Sequence, residues 1–198
     1  LSLTGGTLTG SSNITAATAT LTAGTLSGTG SLTTTGAVSV GDITLSRTWN
    51  AQGSTSLTGA NIVRFINGTI NNAGSFSLDG TQTSPLLNNG GTNAFNNTGT
   101  LTKTTPTNAT VGVPLNNAVG GSLAVNRGTL TLNAAGTEAG STSIGSGATL
   151  RLQANRSYGS GTSMAGAGTL DMVGGTISFT TGTSLGLAGT GNFTLTGA

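Results

Sequence analysis

The chain has 198 residues, room for one domain of ordinary size, and few of them ionise: six are basic, four acidic, and there is no histidine or cysteine. Scarce charge beside a 34% hydrophobic fraction excludes the signature of a disordered chain, which is high charge with low hydrophobicity. Absence of cysteine excludes disulfides and thiolate metal sites within these residues. The six cations (Arg47, Arg64, Lys103, Arg127, Arg151 and Arg156) stand singly, not in the cluster a phosphate backbone requires, so no nucleic-acid partner is expected. No apolar run approaches the roughly 18 residues of a membrane span, and no membrane insertion is expected either.

Residues 1–45 are Thr, Gly, Ser and Ala punctuated by single apolar residues at Leu3, Leu8, Ile14, Leu21, Leu26, Leu32, Val38 and Ile43. That spacing predicts short strands between glycine bends, about three per coil, as around a triangle. The abundant threonine suits a pleated surface and disfavours a helix.

Residues 46–120 predict longer coils with loops. An apolar residue followed by Asn-Asn recurs as Ile70-Asn71-Asn72, Phe95-Asn96-Asn97 and Leu115-Asn116-Asn117, with a truncated copy at Leu87-Asn88-Asn89-Gly90. Asparagine tolerates left-handed backbone, which places these pairs at corners. Stacked asparagines can also bond from coil to coil as a ladder. Pro85, Pro106 and Pro114 mark loops that leave the regular coil, because proline cannot donate to a central ladder.

Residues 121–198 predict regular coils again. Gly128-Thr129-Leu130-Thr131-Leu132, Gly147-Ala148-Thr149-Leu150-Arg151-Leu152 and Gly168-Thr169-Leu170-Asp171-Met172 each read as a turn glycine followed by alternating polar and apolar residues. The period of two is that of a strand with one buried face, and recurrence at about 20 residues is that of a solenoid. Leu130, Leu150 and Leu170 should stack, with Leu132, Leu152 and Met172 as a second stack. Arg151 and Asp171 share the outward slot between them, which predicts an exposed ion pair one coil apart. The phrase Leu187-Ala188-Gly189-Thr190-Gly191-Asn192-Phe193-Thr194-Leu195-Thr196-Gly197-Ala198 repeats eight of the twelve residues from Leu26 to Ala37, which suggests one period of a larger tandem array.

The expected fold is therefore all-β: a right-handed parallel β-helix of about ten coils of roughly 20 residues, forming one segment over 1–198. No secretory signal is present and the chain opens inside a repeat-like pattern, so it is expected to be a module of a longer repeat protein. Its partners would be neighbouring repeats of the same chain or copies of itself stacked end to end.

The phrases Phe95-Asn96-Asn97-Thr98-Gly99-Thr100-Leu101-Thr102-Lys103, Gly128-Thr129-Leu130-Thr131-Leu132, Gly147-Ala148-Thr149-Leu150 and Gly166-Ala167-Gly168-Thr169-Leu170 resemble repeats of giant bacterial surface proteins. These are the filamentous-haemagglutinin-like and autotransporter-passenger-like adhesins. The resemblance covers essentially the whole chain. It implies a parallel β-helix outside the cell, with a host surface, a neighbouring cell or a polysaccharide as partner.

No catalytic, cofactor or metal site is expected. Glycoside hydrolysis takes two flanking carboxylates, and Asp42, Asp79, Glu138 and Asp171 form no short acidic motif. The Gly-rich, aspartate-bearing phrase of calcium-binding solenoids is absent. The threonine row of an ice-binding face breaks where the slot of Thr131 becomes Arg151 and then Asp171. Trp49 and Tyr158 read as anchors at a loop or coil edge. The leading expectation is a structural segment of an adhesin or surface fibre. The alternatives are a self-assembling filament subunit and a carbohydrate-binding or carbohydrate-cleaving β-helix.

Overall fold

The computed structural model describes residues 1–187 and 192–195, and these are all-β with no helix. Every strand pairs in parallel with the coil before it, the coil after it, or both, which makes the chain a β-solenoid. Three faces enclose one core. The first face carries nine strands, one per coil, from Ile14–Ala16 to Ile177–Phe179. The second and third faces belong to one continuous sheet that bends around a corner. In the early coils a single strand spans both, as Ala19–Ser27 and Val38–Ser46 do. At a rise of ~4.8 Å per coil, nine coils make a rod about 40 Å long.

Register is kept along the rod while coil length is not. Ile14, Leu32, Trp49, Ile70, Phe95 and Leu115 are equivalent on the first face. Side-chain bonds between neighbouring coils on this face show how far apart in the chain they lie. The separation is 18 from Asn13 to Ser31, 17 from Thr33 to Asn50, 21 on to Asn71, 25 on to Asn96 and 20 on to Asn116. Later coils are nearly uniform, with Asn117, Glu138, Tyr158 and Phe179 equivalent. The short coils owe their length to the unbroken bend. Gly24 (φ 108°) sits in that bend, where an added Cβ would meet the Gly6 carbonyl oxygen at 2.5 Å. In the longer coils the same corner becomes a loop, and Pro85 and Pro106 lie in two of these loops, between Leu78 and Leu86 and between Lys103 and Ala109. Pro114 leads into the strand Leu115–Asn117, and its carbonyl accepts the Phe95 amide at 2.8 Å.

Alternation sorts the side chains. Leu130, Leu150 and Leu170 are in register on the third face, as are Leu132, Leu152 and Met172, and all six are buried. The glycines leading these strands serve two purposes. Gly128 (φ 65°) and Gly147 (φ 72°) adopt left-handed backbone. Gly168 does not; a Cβ there would run into the Ile144 side chain and the Gly145 carbonyl, so the need is for space.

Three expectations change. The asparagine pairs close extended strands and do not supply left-handed corners; among the described residues Asn67 is the one non-glycine with positive φ. Leu87-Asn88 lies on the third face, away from the other pairs, and Asn88 accepts locally from Gly90 and Asn93. The twelve-residue phrase also falls on different faces in its two copies. Leu32–Thr34 is a first-face strand, whereas Ser184–Leu187 is on the second face and Asn192–Leu195 on the third. The described parts of the two copies thus lie one face out of step, so the phrase does not mark a period of the rod; Ala188–Gly191 and Thr196–Ala198 lie outside the described residues.

The far-ultraviolet circular dichroism spectrum should be that of a β protein without a helical component. Leu150→Ala should lower stability in urea unfolding by about 2–5 kcal/mol, the range for a cavity left in a packed stack. Thr149→Ala, one residue away and partly exposed, should cost within about 0.5 kcal/mol.

Candidate functional site

The most specific chemistry in the molecule is on and behind the first face, where adjacent asparagines build two ladders of opposite polarity. Asn71, Asn96 and Asn116 point outward. Each donates its Nδ2 to the amide oxygen one coil back: Asn71 to Asn50 at 2.9 Å, Asn96 to Asn71 at 2.9 Å and Asn116 to Asn96 at 3.0 Å. Asn72, Asn97 and Asn117 follow them and point inward, fully covered. These donate the other way, Asn72 to Asn97 at 2.7 Å and Asn97 to Asn117 at 2.8 Å. Their amide nitrogens also reach main-chain oxygens of the next coil, Thr100 for Asn72, Ser122 for Asn97 and Ser141 for Asn117, each at 3.0 Å. Those carbonyls fix which end of each inner amide is the donor. Because the two ladders run oppositely, their amide dipoles oppose along the rod.

A ladder of donors must end on an acceptor. In the next coil the inner slot in register with Asn117 holds Glu138, a carboxylate that only accepts. On its far side Glu138 receives Arg156, with Nη2 to Oε1 at 2.5 Å and both side chains buried. Arg156 occupies the slot that carries Trp49, Ile70, Phe95 and Leu115 in earlier coils. It fits because Gly136, the residue before it in that column, has no side chain; a Cβ on Gly136 would meet Arg156 Nη1 at 2.7 Å. Through that gap Nη2 bonds the carbonyl of Leu115, two coils back, at 3.0 Å. Thr142 donates to Glu138 Oε2 at 3.4 Å. Nε and Nη1 of Arg156 and the hydroxyl of Tyr158 form no hydrogen bond of normal geometry.

Burial dominates the electrostatics. It pushes the Glu138 carboxyl above its ordinary range, with the charge of Arg156 and the polar groups of Asn117, Arg156 and Thr142 opposing the shift. It raises the Tyr158 phenol too, helped by the nearby carboxylate. Two other cations are interior. Lys103 is fully covered and spends its ammonium on the Thr105 carbonyl at 2.5 Å, the Thr105 hydroxyl at 3.1 Å and the Arg127 carbonyl at 3.3 Å. Arg47 bonds the carbonyls of Gly30 at 2.8 Å and Ser12 at 3.3 Å, so it ties together the two preceding coils. Desolvation lowers the pKa of both.

Arg151 and Asp171 are in register and paired, Nε to Oδ2 at 2.8 Å. The pair is less open than its outward slot predicts: the Asp171 side chain is only 11% exposed against 43% for Arg151. Trp49 and Tyr158 are core residues and not edge anchors. Both are completely buried; Trp49 donates its indole N–H to the Thr34 hydroxyl at 2.9 Å, and Tyr158 stacks on Phe179. A groove of about 320 Å³ on the second face is lined by Ser39, Ser54, Ser56, Ser75, Ser77 and Asp79, among others. The Asp79 carboxylate accepts from Ser56 and Thr104. Among the described residues no three acidic groups gather.

The outer and inner asparagines were legible as a repeated pair. The Gly136, Glu138 and Arg156 arrangement was missed, although one signal was available: Gly-x-Glu and Arg-x-Tyr stand where earlier coils carry an apolar residue, a spacer and Asn. Comparison of the chain with protein-family models, with curated proteins and with solved structures finds no match.

Arg156→Met should cost about 3–5 kcal/mol at neutral pH, because it leaves a buried carboxylate unpaired. Adding Glu138→Gln should restore most of that loss, and urea titrations of the two variants check it. The pH dependence has a definite sign. A carboxyl raised in the folded state binds a proton there that the unfolded chain lacks, so this group's contribution grows as pH falls through the raised value and levels off below the ordinary carboxylate range. Wild-type unfolding midpoints should shift upward from Glu138 on mild acidification, and this increment should vanish in Glu138→Gln.

Proposed function

We propose that this chain is a non-enzymatic structural segment of a long extracellular bacterial adhesin or surface fibre, acting as a stiff stalk or matrix element. The observation that carries the reading is where the ionisable groups are used. Glu138, Arg156, Lys103 and Arg47 are buried, and each takes part in at least one hydrogen bond to a neighbouring coil, Lys103 and Glu138 also bonding within their own. Chemistry that a catalytic site would present to a substrate is here turned inward to join coil to coil. The outward rows of the first face are Thr15, Thr33, Asn50, Asn71, Asn96, Asn116, Thr137, Ser157 and Ser178, all neutral and polar. Such a surface stays hydrated with little to titrate, and parallel ladders along the axis resist bending. The resemblance to giant surface-protein repeats supports the extracellular placement.

A second reading is end-to-end assembly of copies into a filament, which a parallel ladder permits because one coil can pair with the next whichever copy supplies it.

The mass of the native chain, taken under strongly denaturing conditions from cells that make it, separates the two. A mass far above 19.0 kDa in the extracellular fraction is expected for a stalk or matrix element. A mass near 19.0 kDa would overturn the stalk reading and leave the filament.

A further inference from the structure

The inner amide ladder has boundaries, and they carry a consequence for how the rod comes apart. The inward column reads Ala16, Thr34, Ala51, Asn72, Asn97, Asn117, Glu138, Tyr158 and Phe179. Asn72 donates to Asn97 and Asn97 to Asn117, Glu138 follows in register, and Arg156 bonds Glu138 from the following coil. On one side the column ends at the methyl group of Ala51, and the buried Arg47 and Trp49 of that coil bond backward to Gly30, Ser12 and Thr34, not to the coil of Thr69–Asn72. On the other side the side chains of Tyr158 and Phe179 meet by ring stacking, with centroids 5.0 Å apart.

We propose that the coils from Thr69 to Tyr158 form one cooperative block, held by this buried polar spine, at which unzipping of the rod from either end is arrested. In a solenoid each coil contacts only its neighbours, so loss of structure ordinarily travels inward from an end one coil at a time. Inside the spine that is costly. Each of Asn72, Asn97 and Asn117 adds to the backbone ladder a buried bond to a main-chain carbonyl of the next coil, and the first two add an amide–amide bond as well, so removing a coil there breaks more bonds than elsewhere. Arg156 extends the coupling beyond nearest neighbours. Its guanidinium bonds Leu115 two coils back and Glu138 one coil back, so the coil carrying it cannot leave without releasing both. The outer ladder has no such effect, because its half-exposed amides trade a lost partner for water. The block belongs to the rod whatever the rod is for. Its value to a stalk, which must survive tension that frays an end, rests on the reading above.

Native-state hydrogen exchange on the whole chain tests the block without relying on that reading. Strand amides between Thr69 and Tyr158 should share one slowest rate, with the strands Leu32–Thr34, Thr48–Ala51 and Ile177–Phe179 at least about tenfold faster. A smooth gradient from the ends, with no plateau bounded near Thr69 and Tyr158, would overturn the proposal. Two neighbouring substitutions on one strand sharpen the test. Asn97→Val should split the plateau, releasing Thr69–Asn72 to the faster class while Leu115–Tyr158 stays slow. Asn96→Val should leave it whole. Equal effects of the two variants would also overturn it. Should Asn97→Val not fold, the wild-type plateau and the Asn96→Val pattern still decide the matter.

Discussion

Everything in this molecule answers to the parallel backbone ladder. A coil contributes to the rod only if it offers strands at the places where its neighbours can pair, because an unpaired buried amide or carbonyl is expensive. Register is consequently held while length is free. The coil between Ile70 and Phe95 is the longest on the first face and the one between Leu32 and Trp49 the shortest, yet both deliver their strands in step. The difference is absorbed at corners, where backbone faces water and loops are tolerated.

Pairing every coil in register also dictates the interior. Each inward slot becomes a column along the axis, so a residue is stabilised by what occupies the same slot one coil away. Leucine on leucine satisfies that rule by simple packing. Asparagine on asparagine satisfies it by hydrogen bonding, since an amide is both donor and acceptor and can be repeated without limit. A ladder of that kind still needs a terminus. Glu138 supplies one by accepting only, and Arg156 compensates its charge by donating only. The narrow triangular core makes such polar matter costly, and the pKa directions agree: Glu138 moves up while Lys103 and Arg47 move down, each toward its neutral form.

Much of this architecture could be read from the chain because solenoid order is local. Alternation around Leu130, Leu150 and Leu170 identifies strand and buried side at once, and their even spacing places them one coil apart. The same logic brings Arg151 beside Asp171. It also separates Asn96 from Asn97, since consecutive residues of a strand face opposite ways. Where local resemblance was the only guide, reading failed. Leu87-Asn88 looks like the other pairs but lies on the third face, and the phrase shared by the two ends falls on different faces. Corners, strands and glycines are built from the same few residues on all three faces, so a short phrase says that a corner is present without saying which.

By itself the sequence determined that the chain is a stack of short strands, which residues alternate inward, and how much chain each regular coil spends. Those follow from the strand period and the coil period, which need no knowledge of distant contacts. Only the tertiary structure decided the polar interior. Glu138 comes beside Asn117, Arg156 finds the carbonyl of Leu115 across a missing Gly136 side chain, and Trp49 and Tyr158 become core, because coils of unequal length bring these slots into two adjacent columns. That alignment depends on the length of every corner between them. No single stretch of the chain contains it.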